Sequence, residues 1–142
     1  MSYQINATTI DFPLKSVFRI ARGAKTKAQV IEVTITDGTH QGIGESVPYA
    51  RYDESIELVM TQINSVTEQR LTDDNIDQAI EALPAGSARN ALDCALWDLK
   101  AKQQGKSVAQ LLAITGLKPV VTAQTLSIDT PDAMAKAVAA LD

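Results

Sequence analysis

The sequence predicts an α+β fold: a three-stranded antiparallel meander, then a bundle of helices, then the first βα unit of a larger parallel array. Three observations carry this reading. Apolar residues alternate singly through the first third of the chain and recur at three- and four-residue steps beyond residue 55. Asp37-Gly38 separates two alternating runs, which is a strong hairpin signal. A run of β-forming residues at 119–128 precedes Thr130-Pro131-Asp132, an N-cap followed by proline at the first helical position.

Taken in order, residues 3–14 alternate loosely to Phe12-Pro13-Leu14 and read as the first strand. Residues 15–27 are basic and contain Gly23, so they read as a loop. Residues 28–36 alternate well: Val30, Glu32, Thr34 and Thr36 share one face, and Ile31, Val33 and Ile35 the other. The third strand runs over roughly 40–47, through Gly42-Ile43-Gly44-Glu45. Ile56, Val59, Met60, Ile63 and Val66 then mark a helix, with Asp53 and Glu54 suited to its positive end. Thr72-Asp73-Asp74 opens a short helix reaching Leu83.

The longest helix lies between Pro84-Ala-Gly86 and Gly105, which closes it. Ala88, Ala91, Leu92, Ala95, Leu96 and Leu99 form one apolar stripe, and its alanines let another backbone approach closely. Ser107 caps a short helix ending near Gly116. Residues 119–128 read as a buried strand and Thr130 to Leu141 as a helix. A (β/α) barrel needs about 250 residues. The expectation is therefore a domain over 1–116 and the incomplete start of a barrel over 117–142, with the chain as the N-terminal part of a longer protein.

Composition narrows the function. Aromatic residues make up 4% of the chain, so its core rests on aliphatic side chains. The net charge of −4 argues against nucleic acid, which needs a clustered basic face. No apolar run approaches the roughly 20 residues that span a bilayer. The first residues lack the basic-then-apolar pattern of a signal peptide. With its single cysteine, Cys94, the chain cannot form an internal disulfide, which fits a cytoplasmic location.

Four stretches, in order, resemble one family. They are Phe18-Arg-Ile-Ala-Arg-Gly23; Gly42-Ile-Gly-Glu45 with Pro48-Tyr-Ala-Arg-Tyr-Asp-Glu-Ser55; the helix Ala91-Leu-Asp-Cys-Ala-Leu-Trp-Asp98; and Thr122-Ala-Gln-Thr125. Together they resemble the N-terminal capping domain and first barrel strand of the enolase superfamily, and most closely its dipeptide epimerases. The resemblance implies abstraction and return of the proton α to a carboxylate, through an enediolate stabilised by Mg²⁺. It implies an L-Ala-D/L-Glu type dipeptide as substrate and a parent enzyme that is an isomerase. The expected partners are that dipeptide and further copies of the parent, with neither nucleic acid nor membrane among them. No catalytic and no metal-binding residue is expected within this chain, which supplies specificity and is expected to be inactive alone.

On the same resemblance, Arg22 is the candidate grip for a substrate carboxylate, matching a guanidinium fork to that shape. Arg19 replaces it under a one-gap shift of the loop. Thr125 touches the substrate from below, and Arg51 and Tyr52 line the mouth. Muconate cycloisomerase, o-succinylbenzoate synthase and N-acylamino acid racemase are alternative activities. A free-standing, non-catalytic α+β binding module is an alternative of another class. Other polar residues read more simply: Lys25 and Lys27 as solvated charges, His40 as a surface residue, Glu45, Asp93 and Asp98 as structural carboxylates. Cys94 reads as a buried filler and Trp97 as a packing anchor.

Overall fold

The structure is a computed structural model and describes residues 1–141. Its elements are strands β1 (Gln4–Ile20), β2 (Gly23–Thr36) and β3 (Gln41–Ser46), then helices α1 (Ile56–Thr67), α2 (Ile76–Glu81), α3 (Ser87–Gln103), α4 (Val108–Leu111) and α5 (Pro131–Ala139), with one 3₁₀ turn at Ala50–Tyr52. The strands form one sheet in the order β1-β2-β3, and β2 pairs antiparallel with β3 from Ile31↔Ser46 to Thr36↔Gln41. By its contacts the chain divides into two compact units. One comprises residues 1–10 and 29–116, the other residues 11–28 and those from Leu117 onward.

The first unit holds the core. Ile31, Val33 and Ile35 of β2 are fully buried, as the alternation predicts, with Val59, Ile63 and Val66 of α1 and Ile76 and Ile80 of α2. All six residues of the apolar stripe on α3 are buried. The third strand packs against α3 at backbone distance. A methyl group built on Gly42 would lie 2.0 Å from the Ala95 carbonyl oxygen, and one on Gly44 would lie 2.1 Å from that of Ala91. Glycine on the strand and alanine on the helix thus satisfy one requirement.

Helix ends follow local chemistry. The Ser55 hydroxyl accepts from the Leu58 amide and caps α1. Ser107 and Gln110 form a reciprocal capping box on α4. Gly105, at φ 59°, ends α3 in a Schellman motif: its amide bonds Lys102 and that of Lys106 bonds Ala101. Asp98 accepts from the Ile43 amide at 2.8 Å and from Lys102 at 2.7 Å, the structural role expected of it. His40 sits in the β2–β3 turn, its ring 3.4 Å from Asp37. Trp97 is half-buried, with the Lys100 ammonium 5.7 Å from its ring centre.

Three expectations need correction. Residues 15–27 are not a loop: β1 and β2 continue through them to a two-residue turn at Ala21-Arg22. Both faces of these arms are largely exposed, so no burial pattern reaches the sequence; the backbone ladder alone makes them strands. Residues 119–128 form no strand, and Val120 and Val121 are 89% and 98% exposed. β-Propensity acts through pairing and a half-buried surface, and no described segment pairs with this one as a strand. Cys94 is exposed rather than a buried filler, because it falls between the stripe positions Ala91 and Ala95 on the solvent side of α3.

Candidate specificity surfaces

The second unit carries Arg19, Arg22 and Thr125. Arg22 occupies the hairpin turn ahead of Gly23, whose φ of 146° favours glycine. The arms are tied near their base by the Lys27–Asp11 ion pair at 2.6 Å. Residues 127–130 dock on the outer edge of β1. The Ser127 hydroxyl accepts from the Arg19 amide at 2.9 Å and donates to the Val17 carbonyl at 3.1 Å. The Ile128 amide donates to the Arg19 carbonyl at 2.8 Å. A shallow groove follows, lined by Val17, Arg19, Ser127, Ile128, Asp129 and Thr130. Thr130 caps α5, as expected. Thr125 is exposed two residues before Ser127. The structure thus joins the Arg19 backbone to the segment that carries Thr125.

The first unit carries Arg51 and Tyr52 on the 3₁₀ turn after β3. Bonds from the Tyr52 amide to the Tyr49 carbonyl (2.8 Å) and from the Asp53 amide to Ala50 (3.2 Å) close that turn. Asp53 ends it in the left-handed region at φ 58°. Tyr52 is 72% exposed, and its ring centre lies 5.8 Å from that of Tyr49 at an interplanar angle of 59°. Glu54 does not serve α1, the role its sequence position suggests. Its carboxylate accepts from the Ser87 amide (2.6 Å), the Ser87 hydroxyl (2.7 Å) and the Tyr49 amide (3.3 Å). The Ser87 amide is the main reason its pKa is lowered; burial opposes that, and the Ser87 hydroxyl and Tyr49 amide reinforce it. Beside it, the Ser46 hydroxyl is buried with no partner among the described residues.

These surfaces can recognise a ligand through guanidinium, hydroxyl and aromatic groups. Among the described residues no group of three or more His, Cys, Asp or Glu side chains is placed to hold a metal ion. The described residues by themselves therefore do not fit a magnesium centre. No helix among them is long and apolar enough to cross a membrane.

Residues 4–113 match the family profile described as mandelate racemase / muconate lactonizing enzyme, N-terminal domain. The chain belongs to this family. Among its mandelate racemase / muconate lactonizing relatives, the L-Ala-D/L-Glu epimerase of Escherichia coli K12 is 47% identical over 130 residues, 92% of this chain and 40% of that protein. The N-acetyl-D-glutamate racemase of a Pseudoalteromonas species is 49% identical over 115 residues, 80% of this chain and 36% of that protein. An enolase family member from Agrobacterium tumefaciens with homology to dipeptide epimerases, solved with sodium, L-Ala-L-Glu and an ordered loop, superposes with a TM-score of 0.82. It is 44% identical, over 96% of this chain and 42% of that one. A dipeptide epimerase from Enterococcus faecalis V583, solved with Mg and L-Leu-L-Tyr, gives a TM-score of 0.79 at 28% identity, over 96% of this chain and 41% of that one. The chain thus spans about two fifths of the length of these relatives.

Two polar residues at these surfaces escaped the sequence reading. Glu54 bonds a partner 33 residues away and Ser127 one 108 residues away. Local spacing carries no signal for either.

Proposed function

We propose that this chain is the capping part of a Mg²⁺-dependent epimerase that inverts the α-carbon of the glutamate in an L-Ala-Glu dipeptide. Residues 1–116 form the cap, and 117–142 begin the barrel. The observation that carries this reading is 47% identity, over 92% of the chain, to an L-Ala-D/L-Glu epimerase. The structural likeness to a protein holding L-Ala-L-Glu supports it. In this reading Arg22 pairs its guanidinium fork with the substrate's side-chain carboxylate. Arg19 stands next in line for that role, Thr125 touches the substrate from below, and Arg51 and Tyr52 line the mouth. Mg²⁺, held by parts of such an enzyme outside this chain, would supply the positive charge that offsets the charge left when the α-proton departs. This chain's residues bind and orient, and no proton transfer is assigned to them.

The relative named for N-acetyl-D-glutamate supports a second reading, racemisation of an N-acylated glutamate. Both substrates present the same two carboxylates and differ only in the acyl group on nitrogen. Steady-state kinetics of the full-length protein separate them. The dipeptide reading expects a higher kcat/KM for L-Ala-L-Glu than for N-acetyl-D-glutamate, and little turnover of L-Ala-L-Leu. It also expects Arg22→Met to lower kcat/KM for L-Ala-L-Glu by about a hundredfold, the scale of a lost charge-assisted bidentate contact. A preference for N-acetyl-D-glutamate contradicts it, and an Arg22→Met variant as active as the parent contradicts the role given to Arg22.

A further inference from the structure

Burial does not hold the loop that displays Arg51 and Tyr52. None of the residues of its 3₁₀ turn is buried, and Val47, Tyr49 and Tyr52 are all exposed. Its left-handed residue is Asp53 at φ 58°, a conformation that aspartate tolerates better than most L side chains. Two backbone bonds close the turn on itself. Glu54 ties it to α3. One carboxylate oxygen takes the Ser87 amide, and the other takes both the Ser87 hydroxyl and the Tyr49 amide. The start of the loop, its end and the first turn of α3 therefore meet on one side chain.

Gly86 leaves room for that carboxylate: a methyl group there would lie 2.7 Å from Glu54 Oε1 and would make the carboxylate shift. The helix it caps is packed along its length against β3, so the anchor is rigid.

We propose that Glu54 is the positioning residue of this loop: by joining the Tyr49 amide to Ser87 at the start of α3, it holds Arg51 and Tyr52 in the conformation that reads the substrate. This deepens the dipeptide epimerase reading and rests on it. Glu54 touches no substrate and acts through the loop. Holding a side chain ready lowers the cost of ordering it when the ligand arrives, so the effect belongs in KM rather than in kcat.

The test is Glu54→Gln in the full-length protein. Glutamine keeps one acceptor for the Ser87 amide and has none left for Tyr49. The expected result is a near-normal thermal transition and unchanged protection in the body of α3. Amide exchange at Tyr49, Tyr52 and Asp53 rises about tenfold, as for a locally opened segment. For L-Ala-L-Glu, KM rises severalfold while kcat stays within about twofold. Tyr52→Ala raises KM in the parent and adds little in the Glu54→Gln background, because the two act as one unit. Unchanged exchange at Tyr49 and Tyr52, or a Tyr52→Ala effect that adds in full, overturns the proposal. Were the parent to turn over no glutamate substrate, the dipeptide reading alone would fail, and the exchange measurement would still decide the role of Glu54.

Discussion

Gly44 has no room for one further carbon. With the Ala91 carbonyl oxygen 2.1 Å and the Ala95 amide 2.7 Å from the place of a methyl group, Gly44→Ala must push β3 off α3. A cost of about 3 kcal/mol, at the upper end for overpacking, is expected in urea denaturation. Two positions along the same strand, Ser46 buries a hydroxyl without a partner among the described residues. Ser46→Ala removes that unmet polar group and is expected to be neutral or stabilising by up to about 1 kcal/mol. Asp37 sets a pH dependence. The His40 amide first, then the Gln103 side chain and the Thr39 amide, hold its carboxyl well below the usual carboxylate range. The unfolded chain takes up that proton near pH 4 while the folded chain does not, so stability is present above this range and falls as the pH drops below it. Asp37→Asn is expected to flatten the acid side of the melting-temperature profile, and an unchanged profile would contradict the assignment.

At the scale of elements, the hairpin arms and the segment 119–128 failed as sequence readings for opposite reasons. The arms have partners without a pattern. Lys15, Arg19, Arg22, Lys25 and Lys27 crowd them, and exposure on both faces erases the alternation. The segment 119–128 has β-forming residues, yet Val120 and Val121 stand in solvent. Where an element is paired and half-buried, as β2 is from Val30 to Thr36, the alternation was legible to the residue. The α3 stripe was legible for the same reason, since one face of a helix fell wholly inside. Of the candidate surfaces, Arg19, Arg22, Arg51, Tyr52 and Thr125 came through family likeness. The side chains that fix their segments, Glu54 and Ser127, did not, because their bonds span distant parts of the chain. Ser127 lends itself to a direct check. Ser127→Ala removes the acceptor of the Arg19 amide and the donor to Val17. Amide exchange at Arg19 is expected to quicken by about tenfold, while exchange at Ile35 in the core stays unchanged.

For the whole molecule, the proposed function assigns recognition to this chain and the chemistry to the remainder of the full-length protein. The described residues offer guanidinium, hydroxyl and aromatic groups for recognition and no cluster of metal ligands. The chain spans about two fifths of the relatives that share its sequence. Under that proposal the 142-residue chain alone is expected to show no epimerisation of L-Ala-L-Glu with or without added Mg²⁺, and turnover by it would overturn that division. The central claim is that the full-length protein exchanges the α-proton of a glutamate residue under the specificity of this cap. Incubating that protein with L-Ala-L-Glu and Mg²⁺ in D₂O, and following the glutamate α-proton by NMR, tests it most directly. The expected result is loss of that signal as deuterium enters the α-carbon, with L-Ala-D-Glu accumulating alongside. A glutamate α-proton that persists undiminished while the protein remains folded would contradict the account.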